Sequence, residues 1–192
     1  MADLVIVVGM TGVGKTSVVT SAQSQSACST DVISYGSELL ATAKDLGLVE
    51  HRDELTEMPR ETYDDLQVET AQAIAQSVQE STMDVVFLDT HAALDTPVGY
   101  RPGLTAEDLG HLDPVAIVQV WASPGEIRDR RASDDSRKRT VPSVETIDEQ
   151  QKIATQMSST FSVLTRAPLT RIENPDGELD AAGTELSHLI SQ

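Results

Sequence analysis

The sequence predicts an α/β fold: a parallel sheet with helices on both faces. Three observations carry that expectation. Short apolar runs without alternation recur along the chain, helical stretches separate them, and a glycine-rich loop joins the first run to the first helix. Four runs read as strands buried on both faces, Leu4–Val8, Val32–Tyr35, Val85–Leu88 and Val115–Trp121, and a weaker fifth covers Leu169–Ile172. Five parallel strands between helical stretches give three layers. A length of 192 residues suits one domain with a small lid.

The helices follow from their end signals. In SPGEI, Ser123 is an N-cap, Pro124 takes the first turn and Glu126 completes a capping box. After Pro142-Ser143, apolar residues at Val144, Ile147, Ala154, Met157, Phe161 and Leu164 form a core-facing stripe. Gly47 ends a helix that starts near Ser37, and Asn174-Pro175-Asp176-Gly177 is a turn before the last helix. From Ala132 to Ser143 the chain is polar and aperiodic, which reads as a mobile loop.

Composition narrows the function classes. The formal net charge is −17, from 31 acidic against 14 basic residues, and the acids are spread along the chain. Such a surface is expected in a protein adapted to high salt, where like-charge repulsion is screened over about 3 Å at 1 M salt. It leaves no basic face for a nucleic acid backbone. No apolar run approaches the roughly 20 residues that span a bilayer, and the start MADLVIVVG lacks the basic n-region of a signal peptide. The single cysteine, Cys28, reads as a free buried thiol in a reducing, cytoplasmic setting.

Chemistry concentrates in three segments. The first, Gly9-Met10-Thr11-Gly12-Val13-Gly14-Lys15-Thr16-Ser17, contains G-x-x-x-x-G-K-[ST] between a strand and a helix. Glycines 9, 12 and 14 let backbone N–H groups approach phosphate oxygens, and the helix adds its positive end. Lys15 reaches the β and γ phosphates, and the Thr16 hydroxyl suits Mg²⁺. The second is DVVFLDTH, where Asp89 closes a strand at the point where a carboxylate meets the Mg²⁺ of a P-loop enzyme, and His91 either falls in the ligand crevice beyond it or makes a structural hydrogen bond. In the third, RDRRASDDSRKR, six of the 14 basic residues occupy twelve positions: Arg128, Arg130, Arg131, Arg137, Lys138 and Arg139. A loop of arginines closing over a triphosphate neutralises the transferring group and excludes water. Water exclusion suits transfer to a second molecule rather than hydrolysis. The base-reading N-K-x-D of guanine-nucleotide switches is absent, and Asp89 is followed by Thr-His-Ala rather than by their D-x-x-G, so the acceptor is expected to be small.

The segments VVGMTGVGKTS, YGSELL, GLVEHRDEL, FLDTHAALDTPVGYRPGL and RRASDDSRKR, in this order over residues 5–139, resemble the archaeal-type adenylate kinases. Haloarchaeal membership would also account for the charge. The resemblance implies a P-loop NTPase fold with acceptor-binding helices over 36–72 and a short lid over 128–142. It also implies reversible transfer between ATP and AMP with magnesium on the triphosphate. On this resemblance Gly9–Ser17 holds ATP, one of Arg130 and Arg131 lies against adenine and the other on phosphate, and Arg137 and Arg139 close on the transferring group. The acceptor lies between Tyr35, Gly36 and the segment to Leu40 on one side and Arg52 on the other, with Gln67, Thr90 and His91 near its base or phosphate. Members from methanogenic and sulfur-metabolising archaea are trimeric, which makes a homotrimer an expectation.

Two departures keep other readings open. Asp95 stands where relatives often carry a basic residue, with Arg101 as a possible substitute charge, and the helix after Pro59 is acidic at Glu61, Asp64, Asp65 and Glu69. The alternatives are a kinase for another nucleoside monophosphate or small metabolite, and a non-catalytic ATP-binding protein.

Overall fold

The computed structural model describes residues 1–96, 98–133 and 141–191. Its main sheet has five parallel strands: β1 (Asp3–Val8), β2 (Thr30–Ser34), β3 (Val85–Thr90), β6 (Ala116–Trp121) and β7 (Leu169–Glu173). They lie side by side in the order β2-β3-β1-β6-β7, so the first strand is central and the chain winds outward to both sides. Alternation within β1 feeds two cores. Leu4, Ile6 and Val8 pack with α2 (Tyr35–Asp45), α3 (Arg60–Glu80), α4 (Ala106–Leu112) and α6 (Val144–Thr165). Val5 and Val7 pack with α1 (Lys15–Gln25), α5 (Pro124–Ser133) and α7 (Leu179–Leu189). Burying both faces is what the unalternating apolar runs require.

The end signals read from the sequence are in place. Ser123 and Glu126 bond reciprocally: the Glu126 carboxylate accepts from Ser123 N at 2.9 Å, and Ser123 Oγ accepts from Glu126 N at 3.3 Å. The Ser143 hydroxyl accepts from Thr146 N at 3.2 Å and opens α6. Past α2, Leu48 N bonds Ala43 O and Gly47 N bonds Lys44 O, both at 2.9 Å, around a left-handed Gly47 with φ 68°. Gly177, φ 87°, turns the chain before α7.

Several expectations need correction. β2 is an edge strand rather than a strand buried on both faces: Val32 is 37% exposed, and the strand ends at Ser34, so Tyr35 opens α2. An edge strand with one covered neighbour gives the same short apolar run as a central one, and the sequence does not separate them. Leu164 leaves the α6 stripe at 51% exposure, whereas Phe161 is buried and Met157 packs beside it. Cys28 is half-buried, its thiol near Ile190 O at 3.8 Å. Two elements were not anticipated. One is an antiparallel ribbon, β4 (Ala93–Thr96) with β5 (Gly99–Pro102). The other is α4, opened by a Thr105–Asp108 capping box. A 3₁₀ turn over Arg52–Thr56 precedes α3. Among the described residues no helix is long and apolar enough to cross a membrane.

Candidate active site

The glycine-rich loop leaves the carboxyl end of the central strand and runs into α1. Gly12 and Gly14 have φ of 91° and 86°, left-handed values that ordinary side chains resist. Lys15 is folded back over the loop and only 9% exposed. Its ammonium donates to Gly9 O at 3.1 Å and pairs with Asp89 at 3.4 Å. Burial draws the Lys15 pKa below the ordinary lysine value, and the charge and hydrogen bond of Asp89 oppose that shift.

Asp89 reaches this point through strand register. Val7 of β1 pairs with Asp89 of β3, and Ser34 of β2 pairs with Asp89 from the other side. The carboxyl ends of three neighbouring strands therefore meet where an open α/β sheet binds ligands. Thr16 Oγ1 lies 3.5 Å from the second Asp89 oxygen, so a hydroxyl and a carboxylate converge there. Both are hard oxygen donors of the kind that suit Mg²⁺ together with phosphate and water. The His91 ring donates from Nδ1 to Gly9 O at 2.8 Å, which ties the end of β3 to the start of the loop.

The arginines that open the predicted lid lie against the loop. Arg130 donates to Gly12 O at 3.4 Å, Val13 O at 3.2 Å and Asn174 O at 2.9 Å, and forms a two-point ion pair with Asp176 at 2.6 and 2.8 Å. Arg131 donates to Thr11 O at 2.9 Å. Burial lowers the Arg131 pKa, although a guanidinium keeps its charge. Arg137 and Arg139 lie outside the described residues, as does Lys138.

Next to the loop opens a cavity of about 1130 Å³. Tyr35, Gly36, Arg52, Gln67, Thr90, His91 and Arg101, all expected on the acceptor side, line it together with Lys15 and Asp89; of the segment to Leu40, Leu39 lines it as well. Gln67 is buried and its amide donates to Gly103 O at 3.3 Å. The Tyr35 hydroxyl is buried with no hydrogen-bond partner among the described residues. Burial, and next the charge of Asp108, push the Tyr35 pKa far above that of an ordinary phenol. Arg52 donates to Gly36 O at 3.2 Å.

Asp95 and Arg101 both line this cavity, from opposite faces of one ribbon. In the β4–β5 register Asp95 faces Tyr100 and Leu94 faces Arg101, so the two charges point to opposite sides of the ribbon. Asp95 accepts from Gln150 of α6 at 3.0 Å. Arg101 stacks on Tyr63 at 5.6 Å and pairs with Asp64 of α3 at 3.9 Å.

Sequence reasoning missed Tyr63, Asn174 and Asp176, and named Asp64 only as one of the acids of the helix after Pro59. Tyr63 sits on that helix with no spacing signal of its own. Asn174 reads as a turn residue, although it is the only asparagine in the chain.

Fold and cradle together define a P-loop nucleotide-binding protein of the small-kinase type. A profile of the family described as an AAA domain matches residues 8–148. Shikimate kinase from Acinetobacter baumannii shares the fold with a TM-score of 0.58 at 12% identity, covering 100% of this chain and 94% of that one. The Bacteroides thetaiotaomicron shikimate kinase gives 0.60 at 13%, with 99% of each chain covered. The chain is 36% identical to an adenylate kinase of Methanopyrus kandleri over 99% of its length and 98% of the relative's. To that of Methanocaldococcus jannaschii it is also 36% identical, over 97% of each. The chain belongs to the adenylate kinase family.

Proposed function

We propose that the enzyme transfers the terminal phosphoryl group of ATP to AMP, reversibly and with magnesium, to give two ADP. A phosphate oxygen of AMP forms the new bond to the γ phosphorus, and the bond from that phosphorus to the β,γ-bridging oxygen breaks. The attacking oxygen is already anionic, so no general base is needed, and positioning with charge neutralisation does the work. The observation that carries the reading is the direct junction, at Lys15 and Asp89, of a phosphate cradle with a cavity large enough for a second nucleotide.

In this reading the Gly9–Ser17 segment holds the triphosphate, and Lys15 follows the transferring group. Thr16 and Asp89 hold the magnesium ion, which supplies positive charge to the phosphate oxygens when bound. Arg131, Arg137 and Arg139 add charge from the lid side, while Arg130 is committed to the loop itself. Tyr35, Gly36, Arg52, Gln67, Thr90, His91 and Arg101 face the acceptor. The acidic surface fits a protein working in the cytoplasm of a halophile and makes the homotrimer implied by the resemblance dependent on salt.

A second reading has its own observation: the carboxylates of Asp64, Asp65, Asp95 and Glu107 also line the acceptor cavity. They favour an acceptor less anionic than AMP, such as a metabolite alcohol. An acceptor panel with ATP at several salt concentrations tests both. Adenylate kinase predicts ADP from ATP plus AMP, faster in molar salt, with little ATP consumed alone. Turnover with another acceptor and none with AMP would overturn it in favour of the second reading. A chain that binds ATP and transfers to nothing would be a non-catalytic nucleotide-binding protein.

A further inference from the structure

We infer that Asn174 is a positioning residue for the donor cradle, its buried side-chain amide setting the direction of the Val13–Gly14 peptide. Asn174 is 5% exposed and its Nδ2 donates to Val13 O at 2.8 Å, across 161 residues of sequence. Its own backbone is fixed at both ends: Asn174 N donates to Trp121 O at 2.7 Å, and Asn174 O accepts from Arg130 at 2.9 Å. The amide is therefore held by β6 on one side and α5 on the other, and it has little freedom to follow the loop.

The consequence for the loop is geometric. All described peptide bonds are trans, so a carbonyl and the next N–H point in opposite directions. Holding Val13 O against Asn174 turns the Gly14 N–H to the opposite side of the peptide. Arg130 places a second donor on the same carbonyl at 3.2 Å, and Asp176 anchors that guanidinium. The fit is tight: a Cβ on Gly14 would come within 2.5 Å of Asn174 Nδ2. A cradle whose N–H groups already face the ligand binds phosphate without reorganising, and a cradle with a free peptide must order it on binding.

This inference rests on the reading that Gly9–Thr16 holds ATP. Its test is an equilibrium titration with magnesium and ATP, without acceptor, of the wild type, Asn174→Asp and Asn174→Ala. The aspartate keeps the shape and replaces the donor with an acceptor facing a carbonyl. Its ATP dissociation constant is expected to rise about tenfold or more, the alanine's by less, and the acceptor KM of both to stay within about twofold. Variants that melt earlier and yet bind ATP as the wild type does would overturn the inference and leave Asn174 a packing residue. Failure of both variants to fold at any salt concentration would overturn it equally. A wild type that does not bind ATP would instead refute the proposed function.

Discussion

Gly36→Ala separates the acceptor side from the rest of the molecule. Gly36 is the second residue of α2 and has ordinary helical backbone, so alanine there is expected to stabilise the fold by about 0.5 kcal/mol. The new Cβ would meet only Arg52, whose Nη2 lies 2.7 Å away and whose Cζ lies 3.9 Å away. To restore the 3.4 Å of ordinary contact the guanidinium must retreat by about 0.7 Å, easy for the end of a flexible, exposed side chain. A charge-assisted hydrogen bond is worth about 1.5–3 kcal/mol, and a shift of this size should forfeit about half of it. The acceptor KM should then rise roughly three- to thirteenfold, with the ATP KM and melting temperature unchanged or the latter slightly higher. A coupled ADP assay, varying each nucleotide at saturation of the other, reads the two constants. An equal rise in both, or no rise in the AMP constant, would mean that Arg52 does not face the acceptor.

Tyr35→Phe removes a buried hydroxyl with no hydrogen-bond partner by geometry among the described residues, so stability should hold while the acceptor KM rises severalfold; a melting temperature that falls with kinetics intact would show that the hydroxyl serves packing. Hydrogen bonds, first from the Ser123 hydroxyl and then from Asp176 N and Ser123 N, hold the Glu126 carboxyl below its usual pKa of 4.5. A depressed carboxyl stabilises the fold above its unfolded-state pKa and loses that contribution as pH falls through the folded value. The melting-temperature gap between wild type and Glu126→Gln should therefore be full near neutral pH and shrink below about pH 4.5; a gap of constant size across that range would refute the account.

The cradle and Asp89 are legible in the sequence because backbone dictates both. Three glycines and a lysine at fixed spacing between strand and helix leave one loop geometry, and an aspartate closing an apolar strand must emerge at its carboxyl edge. The seven residues expected on the acceptor side line one cavity, and their role there belongs to the proposed function. What stayed hidden depends on distant partners. The β4–β5 strands are four residues each and carry no alternating pattern. The commitment of Arg130 to carbonyls of the loop, and of Asn174 to Val13, follows from tertiary packing that no local spacing encodes. The opposite orientations of Asp95 and Arg101 follow from a register that is invisible until the ribbon is recognised.

The sheet also serves as a ruler. The cradle leaves β1, the Tyr35–Gly36 corner leaves β2, and Asp89 is the penultimate residue of β3 between them. Neighbouring strands are spaced by about 4.8 Å, so the two attachment points stand about 10 Å apart, a span fixed by backbone hydrogen bonds. In the proposed reaction, the gauge between donor and acceptor is therefore set by the sheet itself.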